Sequence, residues 1–205
     1  MDVSKALARR RMIRSFDASP LDEVQVTSLF DDALRAPTAG NCRGIEWVTL
    51  IGPLETAIYF DATTDEAWRA RSSRFEGLSR AAAVGICVAN PAAYLARYAA
   101  PDKASSGLGT NAEDWPVPFW FGDAGASTMA ALLLAEELGL AAAFLGCFRG
   151  ESELKSALDI PESYRVYGAI LLGRPDGGDH RSSSLDRPGP SRSQRLHRGG
   201  LHDDG

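Results

Sequence analysis

Residues 119–139 read FWFGDAGASTMAALLLAEELG, and how this stretch folds decides the architecture. It is apolar nearly all round rather than along one stripe, so a helix made from it belongs inside the molecule. At 1.5 Å per residue it spans roughly 30 Å, about the width of a small domain. Gly139 supplies the stop. Asp123 interrupts the run and Glu136-Glu137 close it, which makes it too short and too punctuated for a membrane span. The expectation is one buried central helix with the rest of the chain packed around it.

The flanking segments mix strand and helix signals without strict alternation. Residues 45–51 (IEWVTLI) and 81–89 (AAAVGICVA) read as strands stopped at Gly52-Pro53 and Asn90-Pro91. Residues 141–148 (AAAFLGCF) and 164–172 (YRVYGAILL) read as two more, with a short helix over 151–158 between them. Helices are expected over 2–11, 20–35 and 64–79, and 99–118 as a long loop, which in a compact domain is usually functional or mobile. The fold class is therefore α+β, a mixed β-sheet against the central helix. From 174 to 205 the composition shifts to Arg, Ser, Gly, Pro and Asp with three leucines, a disordered composition. A single domain over 1–175 with an extended C-terminal arm over 176–205 follows.

Composition excludes several functions. A chain of 205 residues with net charge −5 lacks the excess Lys and Arg that nonspecific nucleic-acid binding needs. Its three cysteines, Cys42, Cys87 and Cys147, have no paired short spacing, so neither a disulfide framework nor a zinc site is expected, and a reducing cytoplasm fits best. The N-terminus MDVSKALARRR has no apolar core after its charges, so no ordinary secretory signal is expected. His180, His197 and His202 all lie in the tail, which leaves the body without a histidine base or metal ligand and argues against triad and zinc-hydrolase chemistry. Residues 107–112 (GLGTNA) match G-x-G-x-x-A formally, but they follow a polar loop and precede Trp115-Pro116, not the strand-turn-helix that binds a dinucleotide.

What remains is an anion site without an acid or base. Residues 9–16 (RRRMIRSF) put Arg9, Arg10, Arg11 and Arg14 within six positions of an acidic chain. Arg10 and Arg14 share one side of either a helix or a strand, and two guanidiniums on one side can grip a phosphate. A solvated helix end is the plain alternative. A body of this kind points to a bound cofactor that brings its own chemistry, or to a protein that is not an enzyme.

Four segments, RRMIRSF, APTAGNCRGIEWV, FWFGDAGASTMAALLLAEELGLAAAFLG and LDIPESYRVYGAILLGRP, stand in the order and spacing of the nitroreductase-like FMN-dependent oxidoreductases, and the chain resembles that family over nearly its whole length. The resemblance implies a homodimer with two FMN sites at the subunit interface, NADH or NADPH as reductant, and chemistry carried by FMN with no catalytic side chain and no metal. It places Arg10, Arg11, Met12 and Arg14 at the phosphate and ribityl side. Pro37, Thr38, Ala39 and Asn41 would meet the flavin, Pro37 and Thr38 reaching the partner's FMN. Leu145, Gly146 and Cys147 match the turn that passes the flavin N5 edge, and the backbone N–H groups over 144–147 are candidate donors to it. A strand simply ending at a bend is the other reading of that turn. Arg187 is the best match for a distal arginine returning to the phosphate, with Arg181 and Arg192 as rivals. Arg43, Phe119 and Trp120 are candidates for the substrate pocket, although aromatics before a central helix are as readily core.

Three departures from the family pattern bear on affinity and substrate. Met12 stands where a serine is common, removing a hydrogen bond worth roughly 1 to 2 kcal/mol. Arg43-Gly44 replaces a common Gln-Pro, and Leu201 stands where relatives often have tryptophan. The resemblance implies hydride transfer from the nicotinamide to a nitroaromatic, quinone-like or other flat electrophile. A biosynthetic tailoring flavoenzyme, whether a dehydrogenase or a reductive dehalogenase, and a flavin-sequestering protein with little turnover are the rivals.

Overall fold

The computed structural model describes residues 2–180 and 182–201, the side chains of Ser183 and Ser184 excepted. Four strands form one sheet: β1 (Ile45–Ile51), β2 (Ala83–Ala89), β3 (Ala141–Leu145) and β4 (Arg165–Gly173), in the order β1-β2-β4-β3. All three pairings are antiparallel, where a mixed sheet was expected. The connections from β1 to β2 and from β3 to β4 each leave and re-enter the sheet at the same end, as Ile51 opposite Ala83 shows, whereas the one from β2 to β3 crosses to the other end, so those two strands run parallel on either side of β4 without pairing.

Side chains alternate along the central strands as a pleat requires. Val84, Ile86 and Val88 of β2, with Ala169 and Leu171 of β4, face one apolar layer that also contains Phe16, Tyr59, Phe60 and Leu154. Ala83, Ile170 and Leu172 face the other, against Val26, Leu29, Phe30, Ala131 and Leu132. Helices α3 (Pro53–Thr63) and α8 (Glu151–Ala157) cover the first layer, α2 (Glu23–Ala33) and α7 (Phe119–Glu137) the second. Gly85 allows the close approach of α2 to β2, since a Cβ there would lie 2.0 Å from Phe30 Cζ.

Local chemistry explains the helix starts. Asp22 Oδ1 accepts from the Gln25 amide at 2.8 Å and caps α2. Two helices absent from the sequence reading, α3 and α6 (Pro91–Tyr98), begin on the prolines that close β1 and β2. Proline is favoured in a first helical turn because the N–H it lacks has no partner there. The single helix expected over 64–79 is two, α4 (Glu66–Arg71) and α5 (Phe75–Ser79), broken across residues 72–74. The loop over 99–118 contains two 3-10 turns, Ala104–Ser106 and Ala112–Asp114. No helix among the described residues is long and apolar enough to cross a membrane.

The central helix is buried on one side only. Trp120, Asp123, Ala124, Ser127, Thr128, Ala131, Leu132 and Ala135 are buried, whereas Phe119, Gly122 and Glu137 are exposed and Ala126, Met129 and Leu133 half-buried. Residues apolar all round thus leave one face only partly covered within a single chain.

Candidate functional site

The basic segment runs along the free edge of β3. Helix α1 (Val3–Arg9) ends on its first residue, and Arg11 turns back so that Nη1 donates to the carbonyls of Ala8 (2.8 Å), Arg9 (3.1 Å) and Arg10 (2.9 Å). This is cation capping of a helix C-terminus, and it occupies Arg11. Past it, the Ile13 amide donates to Ala142 O at 2.9 Å and the Phe144 amide to Met12 Sδ at 3.3 Å. Met12 therefore ties the segment to β3. It takes the first of the backbone donors expected to face the flavin.

Arg10 differs from its neighbours. Its Nε and Nη1 are buried with no hydrogen-bond partner. A buried donor without a partner costs about 1 to 3 kcal/mol, more for a charged group, and an oxyanion is the acceptor that a guanidinium fork best accommodates. Arg14 is engaged elsewhere: Nη1 donates to Met12 O at 3.2 Å, and its amide to Asp179 Oδ1 at 3.2 Å. It lines a polar cavity of about 220 Å³ with Arg74, Arg80, Asp176, Asp179 and His180, which Arg10 does not line. The two arginines do not share one cavity.

The start of the tail is clasped to this segment. Phe16 bridges to Pro175 and the Asp17 amide donates to Arg174 O at 2.9 Å. Asp176 Oδ2 accepts from Ser15 Oγ at 2.7 Å and from Arg80 Nη2 at 2.9 Å. The Ser15 hydrogen bond, with help from the Gly178 amide and Arg80, holds the Asp176 carboxyl below its usual range. Arg187 and Arg192 are exposed, and no hydrogen bond or ion pair among the described residues joins either to Arg10 or Arg14. Arg181 lies outside the described residues.

The turn after β3 borders an apolar cavity of about 580 Å³ against α3, walled by Tyr59, Phe60, Trp68, Leu145, Gly146 and Phe148 among others. Phe148 is 93% exposed, yet its ring lies over the turn, since a Cβ on Gly146 would come 2.6 Å from Cζ. Burial, then the nearby Glu151 charge, pushes the Cys147 thiol up, so it is a poor source of thiolate. Burial pushes the Tyr59 hydroxyl up to about 12.

The loop over 36–44 lines a second cavity, also of about 580 Å³, with Pro37, Thr38, Asn41, Arg43, Asp123 and Ser127 in its wall. The two large cavities share no lining residue. The loop contains a left-handed pair, Gly40 at φ 65° and Asn41 at φ 54°. Side chains from two helices hold it. Asp123 Oδ2 on α7 accepts from the Ala39 amide and from Tyr94 OH, both at 2.8 Å. Arg97 Nε on α6 donates to Gly40 O at 2.8 Å, and its other nitrogens grip Asp102 at 2.9 and 2.7 Å. Ser127 Oγ accepts from Trp47 Nε1 and donates to Ala33 O, both at 2.9 Å. Asp123, Tyr94 and Arg97 escaped the sequence reading; the signal was a lone aspartate inside an apolar helix.

Of the proposed substrate-pocket residues, Arg43 lines the second cavity. Trp120 is buried among Tyr94, Trp115 and Phe121, so it is core. Phe119 is 49% exposed and packs on Trp115. Among the described residues no cluster of His, Cys, Asp and Glu could hold a metal, and the three cysteines are free.

A four-stranded antiparallel sheet between paired helices is the α+β architecture of the nitroreductase fold. The chain belongs to the nitroreductase family, whose model matches residues 7–174. It is 25% identical over 194 residues to a protein of Archaeoglobus fulgidus assigned provisionally as an NADH dehydrogenase/NAD(P)H nitroreductase, covering 93% of this chain and 95% of that one. Among solved structures, nitroreductase CinD from Lactococcus lactis, in complex with nicotinic acid, matches at TM-score 0.76 and 17% identity, covering 97% of this chain and all of that one. An FMN-dependent nitroreductase from Clostridium difficile matches at TM-score 0.66 and 18% identity over 96% and 98% of the two chains. At such identities the likeness is one of fold.

Proposed function

We propose that this protein is an FMN-dependent oxidoreductase that takes hydride from NADH or NADPH and delivers it to a nitroaromatic, quinone-like or other flat electrophile, acting as a homodimer. The observation that carries this reading is the pair of buried, unpartnered guanidinium nitrogens of Arg10, Nε and Nη1, beside the edge of β3, donors that the FMN phosphate would satisfy. The Leu145–Cys147 turn would lie along the flavin, and Pro37, Thr38 and Asn41 would reach the FMN of the partner chain. When bound, FMN supplies the hydride chemistry that the side chains lack, because the body has no histidine and the thiols of Cys42, Cys87 and Cys147 are all pushed toward the protonated form. The chain's own work is binding and orientation.

Two features support the dimer. Leu145 and Gly146 line one cavity and Pro37, Thr38 and Asn41 another, with no residue shared within one chain, and α7 leaves an apolar face only partly covered. An arm that is clasped at Asp176 and Asp179 and then exposed suits the role of wrapping a partner subunit, with 1–175 as the folded domain. Free thiols suit a reducing cytoplasm.

The test is visible. Purified protein should be yellow, bleach anaerobically on adding NADH or NADPH, and recolour with a nitroaromatic or quinone. Protein that stays colourless after incubation with FMN would sink the cofactor assignment. One observation favours a second reading: Met12 offers no hydroxyl to the phosphate, and its sulfur holds the Phe144 amide. A flavin-sequestering or tailoring protein would keep a colour that neither nicotinamide bleaches.

A further inference from the structure

The second cavity owes its shape to a charge for which the hydride chemistry proposed above has no use. Asp123 is buried on α7, and none of the ion pairs among the described residues involves it. Its Oδ2 is held by two neutral donors, the Ala39 amide and Tyr94 OH. Burying a carboxylate without a cation is costly, and a tether alone could be made from a neutral side chain. The charge is felt nearby: burial and then the Asp123 carboxylate push the Cys42 thiol up, and both also raise the Tyr94 hydroxyl.

The carboxylate acts at a defined place. Ala39 immediately precedes the left-handed Gly40–Asn41 pair, and a non-glycine residue in that region costs of order 1 to 3 kcal/mol unless its surroundings impose it. A charge-assisted bond to a backbone amide is about twice as strong as a neutral one. Ser127, one helical turn along the same face of α7, binds the carbonyl of Ala33 ahead of the loop, and Arg97 binds the carbonyl of Gly40 from the other side. The loop is thus gripped before, at and within its strained pair.

We propose that Asp123 is a positioning residue: its buried carboxylate, kept in place by Tyr94, sets the conformation in which the loop over 37–41 meets the flavin. This rests on the FMN reading above. The test compares wild type with Asp123→Asn, Asp123→Ala and Tyr94→Phe. Leu132→Ala serves as a comparator that loses core packing on the same helix without touching the loop. Each is loaded with FMN and followed by FMN dissociation constant, visible absorbance and circular dichroism of the bound flavin, kcat and KM with the nicotinamide, and Tm.

The expected result is a graded series. Asp123→Ala should weaken FMN at least tenfold, shift the bound-flavin spectrum and lower kcat. Asp123→Asn, which can still accept from Ala39, should do less, and Tyr94→Phe least. Leu132→Ala should lower Tm while leaving the flavin spectrum as in wild type. If Asp123→Ala does not fold, the other two Asp123–Tyr94 variants carry the test. Unchanged flavin binding, spectrum and kcat in the folded variants overturns the proposal while the FMN reading stands, as does a Leu132→Ala protein altered in the same way. A wild-type chain that takes up no FMN overturns both.

Discussion

The two large cavities have equal volumes, about 580 Å³ each, and opposite construction. The one beside Gly146 is walled by aromatic side chains, Tyr59, Phe60, Trp68 and Phe148, with Phe148 almost fully exposed. The one beside Asn41 is walled by backbone and polar groups that hydrogen bonds from α6 and α7 hold in place. An apolar wall is non-directional and adapts to a flat ring; a hydrogen-bonded loop presents groups at set positions and loses them when one bond is broken. Perturbation should therefore act sharply at the second cavity and gently at the first.

Arg10 lies in neither cavity, and its removal should disable both. Arg10→Met is expected to weaken FMN binding about a hundredfold, equivalent to about 2.8 kcal/mol, while the Tm of the flavin-free protein rises because two buried nitrogens without a partner are gone. Titration with FMN and thermal unfolding of the same samples check both signs. A flavin affinity equal to wild type would show that the phosphate sits elsewhere.

Truncation after Pro175 is the next largest change. It removes Asp176 and Asp179, which clasp the basic segment, and every tail arginine. About tenfold weaker FMN binding is expected with the far-ultraviolet circular dichroism of the core retained. Full retention of flavin would make the arm dispensable and leave Arg10 sufficient.

The cavities themselves separate in a third pair of variants. Asn41→Ala, at φ 54°, should destabilise the protein by about 1 to 2 kcal/mol. Phe148→Ala should leave Tm unchanged, since the ring is 93% exposed, and raise KM for a flat substrate severalfold. Equal Tm losses would erase the contrast drawn above.

The smallest effect is on alkaline stability. Burial raises the Cys87 thiol to about 12 and the Tyr59 hydroxyl to about 12. Unfolded, they ionise near 8.5 and 10, so between those values and 12 the unfolded chain binds fewer protons and stability falls as pH rises. Tm measured from pH 8 to 11 should decline, and Cys87 should resist iodoacetamide in the folded protein at pH 8. Prompt alkylation would contradict its burial.

Much of the fold was legible in short segments. Residues 45–51 form a strand with the expected limits, and the strand expected over 81–89 begins two residues later, because β-branched and apolar runs between turn residues are a local signal. Helices α3 and α6 were not legible, since Pro53 and Pro91 read equally as ends of the preceding strands and as first residues of helices. The candidate site was legible by residue type but not by role. Arg10, Arg11 and Arg14 look alike in sequence, and only packing makes one an unpartnered donor, one a helix cap and one part of a clasp. Asp123 read as a flaw in an apolar helix; its partner amide is 84 positions away.

By itself the amino-acid sequence determined the kinds of element, the α+β class and the absence of a histidine from the body, because these follow from local periodicity and residue inventory. The tertiary structure alone decided the antiparallel pairing, the one-sided burial of α7, the two separate cavities and the choice of Arg10 and Asp123. Those depend on which distant groups meet after the chain closes on its core, and burial, which sets the energy of a charge or an unpaired donor, is a property of that closure.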